Sequence, residues 1–429
     1  MSRVIRIAVL VVLAFAVFIS CQNGSKSSAA PKSFSFKETV VAGSAEDFML
    51  VRHLVIEGSN YEIGRKIGEI ALKIGVRLTP SADSLRNMVQ REYVKNNYPI
   101  LYERMRGVAD AFGLKVIDDR YDFSSLSQFP VGGANCSAVF YPATFSENGH
   151  SILSRNYDFT TGDLQGRRPQ PGELPMMARP YIFELYPDKG YASLSICAFE
   201  LLGGVLDGIN SEGLIVSILA DGETVLKFGQ NPTVGVGMHE LQSMRYLLDN
   251  CKNVEEAKEA MLYLKHFYAL MPCHYIICDK NGKSFVFEFS PQRNGVAIVD
   301  GNGPQCVTNH LLSNYRSIED LPTATNTDTY ERYKKLHAAV EEKRKFGLDE
   351  IKAINSSVAY TGTAPENPDY APGRTLWHAL YDADERSVSV RFYMRDGIDP
   401  SDKNKNKAEY TEYLTFKLKN GIGTEGHSL

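Results

Sequence analysis

The period of the hydrophobic pattern changes partway along this chain, and that change limits the architectures open to it. Between residues 58 and 118 the apolar positions fall at helical spacing, with Ile63, Ile67, Ile70, Ala71, Ile74 and Leu78 on one face. Ser59 followed by Glu62 has the pattern of a capping box at the start of that helix. Further amphipathic runs carry Leu85, Met88 and Val89, then Leu101, Met105, Val108 and Phe112, stopping near Gly113. From about residue 135 the texture is one of short strands and tight turns. The runs 138–140 and 151–155 flank Asn148-Gly149, and 274–278 and 284–289 flank Asn281-Gly282, dipeptides that favour hairpins. Strand patterns recur at 181–185, 192–199, 213–219, 375–382, 387–394 and 413–418, and helical runs near 237–250 and 254–265 interrupt them. Strands, then helices, then strands again predict an α+β fold in which helices cover antiparallel sheets, rather than regular βαβ units. A chain of 429 residues, 43% hydrophobic, has ample material for that core.

A net charge of −4, with no lysine-rich tract, leaves no basic surface for DNA or RNA, so no nucleic-acid partner is expected. The first twenty residues read as a targeting segment: Arg3 and Arg6 precede an unbroken apolar run from Ile7 to Ile19. That run is shorter than the roughly 20 residues needed to cross a bilayer. It closes on Ser20-Cys21 and resembles a bacterial lipoprotein cleavage site, with Phe18 where leucine is more usual. The resemblance implies that 1–20 is a signal peptide and Cys21 a lipidated first residue. Residues 21–45, without apolar periodicity, are then expected to be a flexible tether holding the protein to the membrane of a bacterial cell envelope. Plain secretion with an incidental cysteine is the alternative.

Seven cysteines are present, at 21, 136, 197, 251, 273, 278 and 306. Cys273 and Cys278 bracket a strand pattern at an odd separation, which puts them on opposite faces and disfavours a shared metal. They read as small buried residues. Gly58, Gly64 and Arg65-Lys66 lack the spacing of a phosphate loop, and no His-Glu-x-x-His or Gly-x-Ser-x-Gly pattern occurs.

The most informative segment is the hairpin that opens at Asn135-Cys136-Ser137 and returns through Ser154-Arg155-Asn156-Tyr157-Asp158. A turn at 148–149 would place Cys136 opposite about residue 161, so Arg155 and Asp158 return to the end of the ribbon where the thiol sits. A nearby guanidinium favours the thiolate and lowers a cysteine pKa from about 8.5. On spacing alone, a core cysteine beside a solvated ion pair is an equally good reading.

The run from Cys136 to Asp158 resembles the opening of the choloylglycine hydrolases, penicillin V acylases and isopenicillin N acyltransferases, in which a cysteine is followed by a hairpin carrying Arg-Asn-x-Asp. The likeness continues in order through Asp207-Gly208-Ile209-Asn210-Ser211-Glu212-Gly213-Leu214, Val254 to Ala257, His274 to Glu288, Val307-Thr308-Asn309, Thr329 to Arg332 and Thr375 to Met394. It implies a four-layer αββα sandwich of the N-terminal-nucleophile hydrolase type over 136–429, with 46–135 as a helical pro-segment. Cys136 would be the nucleophile and its own α-amine the base. Asp158 would hold that amine, Arg155 would stabilise the thiolate, and Asn309 would donate its amide to the oxyanion. A second oxyanion donor is expected from backbone at 219–221, with Arg332 ordering the network. Asn210 would brace the loop, or serve only its turn. A base that is the nucleophile's own amine must be freed by cutting between Asn135 and Cys136. This chain carries Asn135 where glycine is more familiar.

The resemblance implies hydrolysis of linear amides, such as conjugated bile salts, penicillin V-type compounds or N-acyl amino acids, or transfer of the acyl group to another amine. The partner is then a small-molecule amide with an apolar acyl group, and no metal or organic cofactor is implied. Trp377, or the Arg167–Pro180 insertion with its four prolines, is a candidate for the pocket wall, and Trp377 equally for the core. Two other readings stay open: an uncleaved thiol enzyme using His150, His274, His310 or His378 as base, and a non-catalytic binding lipoprotein on the same scaffold.

Overall fold

In the computed structural model, residues 33–419 are described except for 127–133, 164–165, 171–172, 176, 199, 229–234, 270, 291–294, 324–327, 343, 362–366 and 400–401. Cys21 and the expected signal peptide lie outside the described residues. The chain runs β1 (Ser35–Ala42), β2 (Val51–Gly58), α1 (Asn60–Lys73), α2 (Ser84–Asn97), α3 (Pro99–Ala111), β3 (Ala134–Tyr141), β4 (Ile152–Thr160), β5 (Tyr181–Pro187), β6 (Ser193–Cys197), β7 (Asp207–Asn210) and β8 (Leu214–Ala220). It continues α4 (Gly222–Phe228), α5 (Glu240–Asn250), α6 (Val254–Tyr263), β9 (Cys273–Asp279), β10 (Ser284–Ser290), β11 (Gly295–Asp300), β12 (Gln305–Val307), α7 (Thr329–Val340) and α8 (Leu348–Ser356). Four strands close it: β13 (Gly373–Asp382), β14 (Ser387–Asp399), β15 (Asp402–Tyr410) and β16 (Leu414–Lys417).

Two sheets face each other. One has nine strands in the order β1-β2-β5-β6-β7-β8-β9-β10-β11; the other runs β12-β3-β4-β13-β14-β15, with β16 also on β14. The sheets touch where β3 meets β8, α5 and α6 cover the outer face of the first around β7–β10, and α7 and α8 cover β3, β4 and β12 of the second. The result is the expected helix–sheet–sheet–helix order. Every residue of β5, β6, β8 and β9 is buried, as a strand covered on both faces requires. Cys273 and Cys278 are among them.

The segment before Cys136 is more than helical. Ser35–Ala42 is a strand where a flexible tether was expected to extend to residue 45. It escapes a pattern-based reading because it is a sheet edge with mostly exposed residues and no apolar alternation. Its neighbour β2 pairs in parallel with β5, so residues on both sides of Cys136 build one sheet. The capping box at Ser59 and Glu62 forms as expected. Gly64 and Gly107 mark the crossing of α1 and α3: a Cβ on Gly64 would lie 2.0 Å from the Arg104 carbonyl oxygen, and one on Gly107 2.0 Å from that of Tyr61.

The hairpin register also differs from expectation. Cys136 lies opposite Tyr157, and the ladder closes with Tyr141 opposite Ile152. Pro142 has no N–H to continue the ladder, and a 3₁₀ turn at Ala143–Phe145 follows it. Asn148-Gly149 still turns, with Gly149 at φ 72°, but at the tip of a wider loop. Pairing is therefore displaced by four residues from a ladder centred on 148–149.

A buried charge cluster fastens the helices before Cys136 to the rest. Arg104 of α3 donates to Asp249 of α5 at 2.6 and 3.2 Å and to Asn60 Oδ1 at 2.9 Å; Asp249 also receives Tyr98 and pairs with Arg245 at 2.9 Å. Burial alone would raise the Asp249 pKa, but Arg104 and Arg245 outweigh it and hold the carboxyl below its ordinary value. Removing one partner strands a charge in the interior. Arg104→Ala is expected to cost about 3–5 kcal/mol, read by denaturant unfolding at neutral pH. A loss under about 1 kcal/mol would mean that this cluster is not what fastens α3 to α5.

Candidate active site

Directly paired residues share a sheet face, so the β3–β4 register sorts the candidate groups into two sets. Cys136, Tyr157, Ala138 and Arg155 point into the space between the sheets. Asp158 and Asn156 point toward α7 and α8. The backbone of Cys136 runs between the sets.

On the inner face Cys136 is 1% exposed, and its Sγ lies 3.7 Å from Arg155 Nη2. Arg155 reaches across to the other sheet. It pairs with Asp207 of β7 at 2.7 Å and donates to Ser217 Oγ and the Ile218 carbonyl, both at 2.9 Å. Its guanidinium also lies over the Tyr157 ring, 4.6 Å from the centroid. Burial pushes the Cys136 thiol up, and Arg155 pulls against that shift without reversing it. The thiol of the uncleaved chain is therefore protonated at neutral pH. Asp207 is a member that sequence reasoning missed, because its motif was read for the turn at Asn210. It accepts from Tyr381 and from Trp377 Nε1. Trp377 is fully buried and stacked on Tyr157 at 4.0 Å, so it belongs to the core and not to a pocket wall.

At the backbone the remaining groups converge. The Cys136 N–H donates to Asn309 Oδ1 at 2.7 Å, and Arg332 donates to the same oxygen at 2.9 Å and to the Cys136 carbonyl at 2.7 Å. Asp158 Oδ2 lies 3.8 Å from Arg332, and Asp158 Oδ1 accepts from Thr375 Oγ1 at 2.6 Å. Burial raises the Asp158 pKa to about 6, against the opposing charge of Arg332. Asp158 Oδ2 makes no hydrogen bond among the described residues.

Asn309 is oriented differently from the expectation. It presents its oxygen to Cys136, while its amide donates to the Ala220 carbonyl at 2.8 Å. Two donors, the Cys136 N–H and Arg332, meet there, and of the Asn309 amide only the side-chain oxygen can accept from them. Of the 219–221 amides, two are turned toward β9 and the third, that of Ala220, is turned away from it. The Asp221 N–H bonds the Pro272 carbonyl at 2.9 Å, and Leu219, two residues back, faces His274 on the same side of the β8–β9 ladder. Asn210 sits apart from this cluster. Its side chain accepts from Glu212 and Leu214 and donates to the Leu248 and Cys251 carbonyls, which braces its own turn against the end of α5. Asn135 pairs with Asp158 through the ladder.

Among the described residues no histidine hydrogen-bonds Cys136. His150 pairs with Asp382, His378 with Ser154 and Tyr413, and His310 with Thr308 and Thr329. Burial lowers His310 to about 4 and His378 to about 3, too low for efficient base work at neutral pH.

No curated protein matches this chain. Among solved structures, a mutant of conjugated bile acid hydrolase from Clostridium perfringens is similar at 15% identity and a TM-score of 0.41, over 65% of this chain and 97% of that one. Penicillin V acylase from Agrobacterium tumefaciens is similar at 17% identity and a TM-score of 0.39, over 65% of this chain and 91% of that one. The family model described as acyl-coenzyme A:6-aminopenicillanic acid acyl-transferase matches residues 144–395, a stretch that contains Arg155, Asp158, Asn309 and Arg332 and begins eight residues after Cys136. Matched over more than half of its length, this chain belongs to the acyl-coenzyme A:6-aminopenicillanic acid acyl-transferase family.

Proposed function

We propose that this protein cuts its own chain between Asn135 and Cys136, and then hydrolyses linear amides with apolar acyl groups through the freed cysteine. One observation carries the reading. Cys136 is contacted at its nitrogen by Asn309, at its carbonyl by Arg332 and at its sulfur by Arg155.

In the first reaction Sγ attacks the Asn135 carbonyl carbon. A C–S bond forms, the C–N bond breaks, and the thiol proton passes to the departing nitrogen of Cys136. Water then hydrolyses the thioester, which restores the thiol and leaves Asn135 with a carboxylate. Asn309 Oδ1 already accepts from the nitrogen that departs, and Asp158, beside the Arg332 that bonds the Cys136 carbonyl, would hold the ammonium it becomes. In the second reaction the free α-amine, with an ordinary pKa of about 7.7–8.0, takes the thiol proton as Sγ attacks the substrate carbonyl. Arg155 balances the thiolate. Asn309 serves the oxyanion only after its amide turns away from Ala220. The leaving amine takes the proton back, and water releases the acyl group. If a second amine enters instead of water, the same thioester gives acyl transfer, the activity that the family's description carries.

Intact-mass analysis of the purified protein beside Cys136→Ala tests the first reaction. Two fragments meeting at 135–136 in the wild type, and a whole chain in the variant, are expected. Two whole chains would remove the free-amine mechanism and leave a non-catalytic scaffold as the better reading.

The state of Asp158 sets the pH response. Its carboxyl is charged above about 6 and neutral below. Self-cleavage is therefore expected to slow as pH falls through that value, because a neutral acid cannot offset the charge growing on nitrogen. The sign for stability is opposite. A carboxyl raised above its unfolded value of about 3.9 favours the folded chain at low pH, and that contribution is lost as pH rises to about 6. Time courses from pH 5 to 8 on the wild type and Asp158→Asn check this. The variant should be slow throughout with no acid limb, and an unchanged limb would assign it to another group.

We further propose that Cys21 carries a lipid that anchors the protein in a bacterial envelope, on the basis of the apolar run and Ser20-Cys21. Radiolabelled palmitate should enter the wild type and not Cys21→Ser. Equal labelling would exclude this site.

A further inference from the structure

Behind Asn309 lies a charged pair that the reactions above leave unused. His274 on β9 and Glu288 on β10 are both fully buried, with Nδ1 3.5 Å from Oε1. They stand one step along the ladder from the Tyr275–Phe287 pair. His274 Nε2 lies 2.7 Å from the Thr308 carbonyl oxygen. A carbonyl can only accept, so Nε2 carries a proton. Burial would lower the His274 pKa, but Glu288, 3.5 Å from Nδ1, outweighs it and raises the value, which favours a proton on Nδ1 as well. The imidazolium is the one form of histidine that donates in both directions.

Glu288 acts on the far side of the same segment. Its Oε1 accepts the Leu312 N–H at 2.6 Å and its Oε2 the Ser313 N–H at 2.9 Å. One buried pair on the nine-stranded sheet thus ties down residue 308 on one flank of Asn309 and residues 312–313 on the other. Asn309 follows β12, which pairs with β3, the strand that bears Cys136. The pair therefore decides how a residue carried by one sheet is held against the other. Burying two charges costs stability unless their geometry is good, and replacing such a pair with apolar residues is often neutral or stabilising. Fold stability alone therefore does not account for it.

We propose that His274 and Glu288 are positioning residues that aim the side-chain oxygen of Asn309 at the Cys136 nitrogen. Neither touches the reacting atoms. The inference rests on the self-cleavage reading above, and its test separates the two.

The experiment compares self-cleavage rates, by intact mass, of wild type, His274→Gln and His274→Asn, with a thermal midpoint for each. Both variants remove the charge and supply a neutral amide. Glutamine reaches the place of Nε2 and can still donate to the Thr308 carbonyl; asparagine is too short. His274→Gln should stay within a few-fold of wild type. His274→Asn should be slower by about 10²-fold, the scale of a misplacement near 1 Å, at a similar thermal midpoint. Glu288→Gln, which keeps the volume and one acceptor oxygen, guards against a variant that does not fold. It should be slower by about tenfold, the scale of one buried hydrogen bond left unmade. Equal rates in His274→Gln and His274→Asn, or a wild-type rate in Glu288→Gln, overturn the positioning role while the self-cleavage reading stands. A wild type that stays whole overturns both.

Discussion

The candidate site depends on the antiparallel ladder between β3 and β4. Its register places Cys136 opposite Tyr157 and Ala138 opposite Arg155, which sends the thiol and the guanidinium into the same gap between the sheets. Asp158, one position on, is turned to the other face, where it stands beside the Arg332 that bonds the Cys136 carbonyl. A slip of one residue would exchange the two sets, because side chains alternate with a period of two. The division into a sulfur side and a nitrogen side is thus a property of pairing, enforced by the burial of both faces.

Burial then sets the electrostatics. Arg155 could not remain charged between two sheets without Asp207, and that ion pair fixes the guanidinium 3.7 Å from sulfur. The low-dielectric gap keeps the thiol protonated in the uncleaved chain, and burial on the helix side lifts Asp158 to about 6. In the reading proposed here, release of the α-amine supplies the base that takes the thiol proton in the second reaction.

The segment before Cys136 is joined to the fold by more than helix packing. It supplies two strands to the nine-stranded sheet, and Arg104 meets Asp249 where neither is exposed. A cut at 135–136 would leave two chains sharing a sheet and a buried charge cluster. Gly64, in a stretch without the spacing of a phosphate loop, has its explanation here, since α1 and α3 approach too closely for a side chain.

Element types were legible in the sequence because they are written in local periodicity: the helices of 60–111, the hairpin strands and the Ser59 cap all follow from neighbours a few residues apart. The grouping of Cys136, Arg155, Asp158, Asn309 and Arg332 was legible only through motif order, since residues up to 196 positions apart in the chain have no local signal for contact. Tertiary structure alone decided the rest. Pro142 ended the ladder early and moved the register; the demand for an acceptor at the Cys136 nitrogen turned Asn309 around. Asp207 became the counter-ion of Arg155, and Trp377 went to the core. Each of these outcomes depends on which donors, acceptors and charges are left to satisfy one another once water has been excluded, and that accounting exists only in three dimensions.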